Sequence, residues 1–399
     1  MYWSLLVSYS RIPLFFSIAF IACSQLTNGL LAPALPEMAT HFAVDEHLVQ
    51  RLIVVFILGL GISQLFYGPL ADSYGRRRIF WLGQAIFLLG NLLTFLGFNN
   101  LDLLLVGVMI QGLGAGSNQI LARCLISDSY RGKELKHGFA WLGMAASVIP
   151  VLGPVIGGIV TAYWGWHYLF VIIGIAGASL LIIAAKLLPE TQVEAGPPLN
   201  MSRVFNDYLN LAADRHFIHY SSFAWIASIG LMYMISSAPF VLQHDFGLSA
   251  DNFGLVMIVP AAGLALGSAF TRRFNGRWPE QQILLLASVL PFIAAFILLT
   301  QAHSLFWVVA AMSLISISVG AIYPISQSGL FAHFSGQAGT VSALSGTTQM
   351  TLTALAVGGL TSAFMPSPSA MAIIFSVMAV ALILNMVIQI VKVKAPTMQ

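Results

Sequence analysis

The chain has 399 residues, 58% of them hydrophobic and only 8% charged, where an average soluble domain has roughly 25% charged. So few charges cannot cover a water-soluble fold, and 14 acids against 17 bases, a formal charge of +3, give no reason to expect a nucleic-acid partner. The two cysteines, Cys23 and Cys124, are too few for a disulfide scaffold or a four-thiolate zinc site and read as packing residues.

A helix needs about 20 apolar residues to cross the hydrocarbon core. Runs of that length follow one another at 12–35, 48–70, 78–98, 101–123, 137–161, 165–188, 216–241, 252–273, 280–300, 304–327, 337–362 and 368–391. They lack the alternation of a barrel wall, and each backbone must satisfy itself within lipid, so the spacing predicts an all-α membrane protein of twelve transmembrane helices. The longest polar stretch divides the spans six and six. This predicts an N-terminal six-helix bundle over 1–188, a linker over 189–215 and a C-terminal six-helix bundle over 216–399. Within the linker, Leu199 to Leu211 reads either as a short amphipathic helix on the membrane surface or as a loop.

Bases are retained in the cytoplasm during insertion. Arg76, Arg77 and Arg78 follow the second span, and Arg131, Lys133 and Lys136 the fourth; Lys186, Arg203 and Arg215 border the linker, and Arg272, Arg273 and Arg277 follow the eighth span. With Arg11, Lys392 and Lys394 they place both termini in the cytoplasm, and the expected location is a bacterial inner membrane.

The turn after the second span reads Gly68-Pro69-Leu70-Ala71-Asp72-Ser73-Tyr74-Gly75-Arg76-Arg77-Arg78. It resembles the signature loop of the major facilitator superfamily. Its glycines permit a tight turn, and Asp72 can pair with arginines or with a neighbouring helix end. The eighth span ends in Gly267-Ser268-Ala269-Phe270-Thr271-Arg272-Arg273, an echo in which Thr271 replaces the acid. Two related halves with substrate held between them near midplane follow from that resemblance.

In the fifth span, Gly153-Pro154-Val155-Ile156-Gly157-Gly158 resembles the motif associated with antiporters of this superfamily. Gly143, Ser147, Gly153 and Gly157 form a small-residue stripe that lets another helix approach closely, while Pro150 and Pro154 favour a bend. Gly263 and Gly267, with Pro260 nearby, offer a mate in the eighth span.

Further segments narrow the branch: Gln64 to Pro69, Ala122-Arg123 with Asp128, Pro239 to Gln243 before Gly247-Leu248-Ser249, and Ala338 to Ala343. Together they resemble the Bcr/CflA type of drug:proton antiporter, EmrD-like in the second span. The resemblance covers nearly the whole chain and implies proton-driven multidrug efflux by alternating access, with the Asp72 loop latching one state. Two positions depart from the pattern. Val108 stands where many superfamily exporters carry an arginine, and Asn28 and Gly29 stand where many Bcr-type relatives carry an acid.

Acids are nearly absent from the spans, since Glu37, Asp72 and Asp128 all fall at or beyond span ends. Arg123 lies inside one, where a retained charge is a functional candidate. It reads either as a cation that snorkels to the surface or pairs with Asp128, or as the group that sets the charge of an inward-facing cavity and helps Asp128 exchange protons. The expected coupling or gating set is Arg123, Asp128, Asp72, Arg76 and Glu37. His167, His219, His244 and His303 are further titratable groups, placed as boundary residues.

Polar and aromatic residues inside spans need partners or a water-filled cavity. In the N-terminal half they are Gln25, Asn28, Gln64, Tyr67, Asn118 and Gln119; in the other half, Trp225, Tyr233, Ser236, Ser237, Tyr323, Gln327 and Gln349. Met144, Met232 and Met234 add adaptable apolar lining. Such a cavity suits amphipathic or weakly cationic drugs of varied shape. No phosphate-binding Gly-x-x-x-x-Gly-Lys segment and no catalytic cluster is found, so no enzyme, metal or cofactor is expected. Expected partners are small-molecule drugs, protons and the lipid bilayer, with a monomeric chain. The rival readings are an exporter of one metabolite, such as an amino acid or sugar, and a non-transporting membrane receptor or enzyme.

Overall fold

The computed structural model describes residues 11–192, 199–274, 277–334 and 338–394, and among them every long element is a helix. Residues 193–198 of the polar linker, which include Glu194, Gly196, Pro197 and Pro198, lie outside the described residues, as do the side chains of Lys133, Lys136, Ser147, Arg203, Lys392 and Lys394.

The first span starts at Ile12–Leu31. Pro33 and Pro36 then withhold two backbone donors, and the chain tightens into a 3-10 turn, Ala32–Ala34, before resuming as Leu35–Phe42. This carries Glu37 into a helix. Spans two to six are Glu46–Tyr74, Arg76–Leu96, Leu101–Ser129, Gly132–Trp164 and His167–Leu187. The second and fourth overrun the apolar runs, so Asp72 and Asp128 are helical residues.

The linker forms the helix Met201–Ala213. Tyr208 and Leu211 turn toward the protein, while Met201, Phe205 and Leu209 are exposed at four-residue spacing. Asp214 begins the seventh span, Arg215–Phe240, its Oδ1 accepting from the N–H groups of His216 and Phe217 at 2.7 and 3.3 Å. The remaining spans are Ala250–Val256 with Ile258–Phe274, interrupted near Pro260, then Glu280–Gln301, Leu305–His333, Ala338–Ala363 and Pro368–Lys394.

Eleven of these segments are long and apolar enough to cross a membrane by composition alone. The other, Ala338–Ala363, is long enough but rich in Gly, Ser, Thr and Gln because it faces protein: Gly346 lies against Gln64, and Gly61 against Met350 and Thr351. Around the outside, large apolar side chains such as Phe296 and Phe306 are 67% and 70% exposed. In lipid that surface is a solvation shell, whereas in water it would be an aggregation surface. The chain is an all-α membrane protein of twelve transmembrane helices in two six-helix bundles.

Candidate functional site

The signature loop is held by a network of charged groups at the base-rich end. Gly75, at φ +94°, makes the turn between spans two and three in a conformation that favours glycine. The Glu190 carboxylate fits over this turn and accepts from the backbone N–H groups of Arg76 at 2.9 Å and Arg77 at 3.1 Å. A carboxylate there satisfies orphan donors and complements the helix dipole of span three. Arg76 itself is nearly buried and lies between two acids, with Nη1 on Asp72 at 2.5 Å and Nε on Asp128 at 2.9 Å. Asp128 also accepts from Thr191 at 3.1 Å, Gln192 donates to the Asp72 carbonyl, and Arg77 Nη2 donates to the Ala185 carbonyl at 2.8 Å. Spans two, three, four and six and the start of the linker therefore meet around Arg76 and Arg77.

Beside this network lies a cavity of about 950 Å³. Its walls come from Gly68, Asp72 and Arg76, from Ile120 and Arg123, from Phe139, from Val204, Asp207 and Tyr208 of the linker helix, and from Phe331, Thr340 and Ser342. Both halves and the linker thus contribute. Arg123 does not pair with Asp128, which Arg76 already engages; it reaches across the cavity and donates from Nη1 to Ser342 Oγ at 2.5 Å.

Of the five residues expected to couple protons or gate, three line this cavity: Asp72, Arg76 and Arg123. Asp128 supports Arg76 from behind, and Glu37 lies at the other end of the first span near Trp166. None of the residues expected to bind substrate lines the cavity. Half of them lie on helices that wall the cavity, with Tyr67 and Gln119 directly beside cavity residues, and the rest belong to spans one and seven. Gln119 donates to Ser24 at 2.6 Å, Asn118 is bonded to Gln84 at 3.3 Å, and Gln64 donates to the Leu60 carbonyl at 3.3 Å, with Tyr67 buried one turn away. Gln349 donates to the Tyr323 hydroxyl, one turn from Gln327. Tyr233, Met234, Ser236 and Ser237 are fully packed, with Met232 partly buried beside them. Met144 is 55% exposed on the outer face of span five. Gln25 Oε1, Asn28 Oδ1, Trp225 Nε1 and Thr347 Oγ1 are among the fourteen side-chain polar atoms of the described residues that are buried with no hydrogen-bond partner. An unpaired buried polar group costs about 1 to 3 kcal/mol, so these atoms are chemically disposed to receive a polar ligand or water.

At the opposite end the halves are closed on one another. Gln50 Nε2 donates to the Ser236 carbonyl at 3.0 Å, Gln243 Nε2 donates to the Pro33 carbonyl at 2.9 Å, and His244 Nδ1 lies 2.7 Å from Glu46 Oε1. The Gly153-to-Gly158 segment supplies the close approach. Gly153 and Gly157 pack on Gly29 and Leu30 of span one, while a methyl added at Gly158 would stand 2.2 Å from the Ala250 carbonyl oxygen. Pro154 meets Gly254 of span eight in the same way. This segment therefore mates with span one through Gly153 and Gly157 and with the start of span eight through Pro154 and Gly158, while a methyl added at Gly143 of the expected stripe would meet nothing within 4 Å. Gly263 and Gly267 instead face span ten, at Ser313 and Ile317.

Glu190, Tyr208, Ser342 and Glu46 were not singled out from the sequence. For Tyr208 a signal existed, because Pro69 inside a helix must leave the Leu65 carbonyl without its usual donor.

Comparison with known proteins places this geometry. The profile of the Major Facilitator Superfamily matches residues 17–357. Multidrug resistance protein D of Escherichia coli (strain K12) is 29% identical over 336 residues, covering 82% of this chain and 83% of that protein. Multidrug transporter MdfA of Edwardsiella ictaluri (strain 93-146) is 25% identical over 343 residues, covering 84% and 82%. Among solved structures, the peptide transporter POT superposes with a TM-score of 0.74 at 16% identity over 94% of each chain. A D-xylose-proton symporter superposes with a TM-score of 0.70 at 15% identity, over 94% of this chain and 97% of that one, so both share the fold. With most of its length matched and the twelve-span architecture present, the chain belongs to the Major Facilitator Superfamily and is a multi-pass membrane transporter.

Proposed function

We propose that this transporter is a proton-driven multidrug efflux antiporter of a bacterial inner membrane, with both termini in the cytoplasm. The observation that carries the reading is the cavity at the base-rich end, walled by both halves and bridged by Arg123 on Ser342. Under the retention of bases on the cytoplasmic side this is an inward-facing compartment, sealed from the exterior by the contacts at Glu46, Gln50, Gly158 and Gln243. Residues 1–188 and 216–399 act as the two rocking bundles and 189–215 as their linker.

Amphipathic or weakly cationic compounds enter this compartment and advance to the deeper polar belt, where Gln25, Asn28 and Trp225 have hydrogen-bonding capacity unused. Arg123 and the Asp72–Arg76–Asp128 network provide the charges that a proton cycle would act on. The relatives named as multidrug transporters support the substrate class. The Gly153, Pro154, Gly157 and Gly158 contacts support exchange without leak, because they seal one end while the other is open. The test is drug-induced proton release from the purified chain in reconstituted vesicles, paired with the resistance profile of an expressing cell. Release by several unrelated cationic drugs supports antiport of many drugs, whereas release by a single metabolite alone overturns it.

A further inference from the structure

Three of the prolines inside these helices, Pro69, Pro291 and Pro324, leave a carbonyl that a hydroxyl group from another element takes up. Pro291 withholds a donor from Ala287, whose carbonyl accepts from Ser318 at 2.6 Å; Pro324 does the same to Gly320, whose carbonyl accepts from Ser268 at 3.0 Å. Both docking points fasten helices within the C-terminal half. The third is different. Pro69 frees the Leu65 carbonyl of span two, and the hydroxyl that reaches it, at 3.1 Å, is Tyr208 of the linker helix.

That helix belongs with the C-terminal half by packing, since Tyr208 and Leu211 sit in one apolar cluster with Phe217, Leu330, Val341 and Leu344. The segment before it is tied to the N-terminal half through Glu190, Thr191 and Gln192. The helix also forms a wall of the cavity through Val204, Asp207 and Tyr208. Tyr208 is 9% exposed, so its hydroxyl has little water to fall back on. Burial, and then the nearby Asp72 charge, push the phenol up to about 12, so it remains a donor at any pH a cell meets.

We infer that the linker helix Met201–Ala213 is an inner gate of the cavity and that Tyr208, seated on the carbonyl freed by Pro69, is its latch. This rests on reading the cavity as the compartment that loads from the cytoplasm. When the halves rock, the helix travels with the C-terminal half and shifts against span two, so the Tyr208 bond is lost and the latch holds the loading state in place until it is released. Tyr208 acts as a positioning residue and does not need to touch the drug.

The test uses the full chain in nanodiscs with Cys23→Ser and Cys124→Ser, spin labels on Lys186→Cys and Asn210→Cys, and distance measurement between them. Tyr208→Phe retains the ring and removes the donor. Loss of one ordinary hydrogen bond corresponds to about a fivefold shift in population, so a longer-distance population should rise by about that factor. Pro69→Ala, which returns a helical donor to Leu65, should raise the same population less, and Tyr208→Phe added to it should have little further effect. An unchanged distance distribution in Tyr208→Phe overturns the latch, even if drug-driven proton release is intact. A shifted distribution supports it even where no drug releases protons, in which case only the transport reading fails.

Discussion

Arg123 Nη1 and Ser342 Oγ meet at 2.5 Å across the cavity, joining span four of one half to span eleven of the other. A hydrogen bond to a charged group is worth about 1.5 to 3 kcal/mol when well made. Ser342→Ala should therefore leave the fold intact and loosen the bridge between the halves across the cavity. Arg123→Ala should reduce drug export at least tenfold in vesicles with an imposed pH gradient, and export at the normal rate would end the assignment of Arg123 to coupling.

Two acids contact Arg76, but they are not equivalent, because the Asp72 side chain is 61% exposed and that of Asp128 only 21%. An exposed pair contributes about 0 to 1 kcal/mol, while removing one partner of a more buried pair strands a charge. Asp128→Asn should lower the melting temperature in detergent clearly more than Asp72→Asn. Equal shifts would show that Arg76 does not depend on its buried partner.

Glu190 satisfies two backbone donors at the start of span three. Replacing such a cap typically costs about 1 kcal/mol. Glu190→Ala should lower thermal stability by that order and raise amide exchange at Arg76 and Arg77, whereas Glu190→Gln, which retains an acceptor, should restore most of the stability. Exchange unchanged in Glu190→Ala would contradict the capping role.

At the opposite end, a methyl at Gly158 would stand 2.2 Å from a carbonyl oxygen and one at Gly254 2.4 Å from another. Gly359, in span eleven, has open space around the same position. Gly158→Ala and Gly254→Ala should both separate the halves there, measured as faster labelling of a cysteine placed at Ser236, and Gly359→Ala should not. Labelling at the parental rate in all three would show that the seal does not depend on backbone contact.

His244 Nδ1 and Glu46 Oε1 lie 2.7 Å apart across the closed end, joining span two to the end of span seven. Glu46→Gln weakens that contact, so spin labels at Asn99 and Asn252 should report a longer, broader distance distribution than in the parent. An unchanged distribution would show that the seal does not depend on this pair.

The spans were legible because hydrocarbon thickness imposes their length and charge imposes their ends. The overruns past Asp72 and Asp128 were not, since polar residues at a helix end are as compatible with a turn as with another helical turn. The Asp72–Arg76 pair is local, four residues apart in one loop, and could be expected from the sequence. Arg123 was recognised as a displaced charge, but Asp128, its neighbour in sequence, goes to Arg76 from 52 residues away. The glycines of span five announced close packing, but the mate expected at Gly263 and Gly267 faces span ten, and the partners proved to be span one and the start of span eight.

By itself the sequence determined that this chain lives in a bilayer as twelve helices, because no arrangement in water could hide so much apolar surface or satisfy so much backbone. Only the tertiary structure decided which polar groups meet. Tyr208 over Leu65 and Arg123 over Ser342 are separated by 143 and 219 residues, and such pairs are chosen by how helices rotate and pack, a property of whole surfaces.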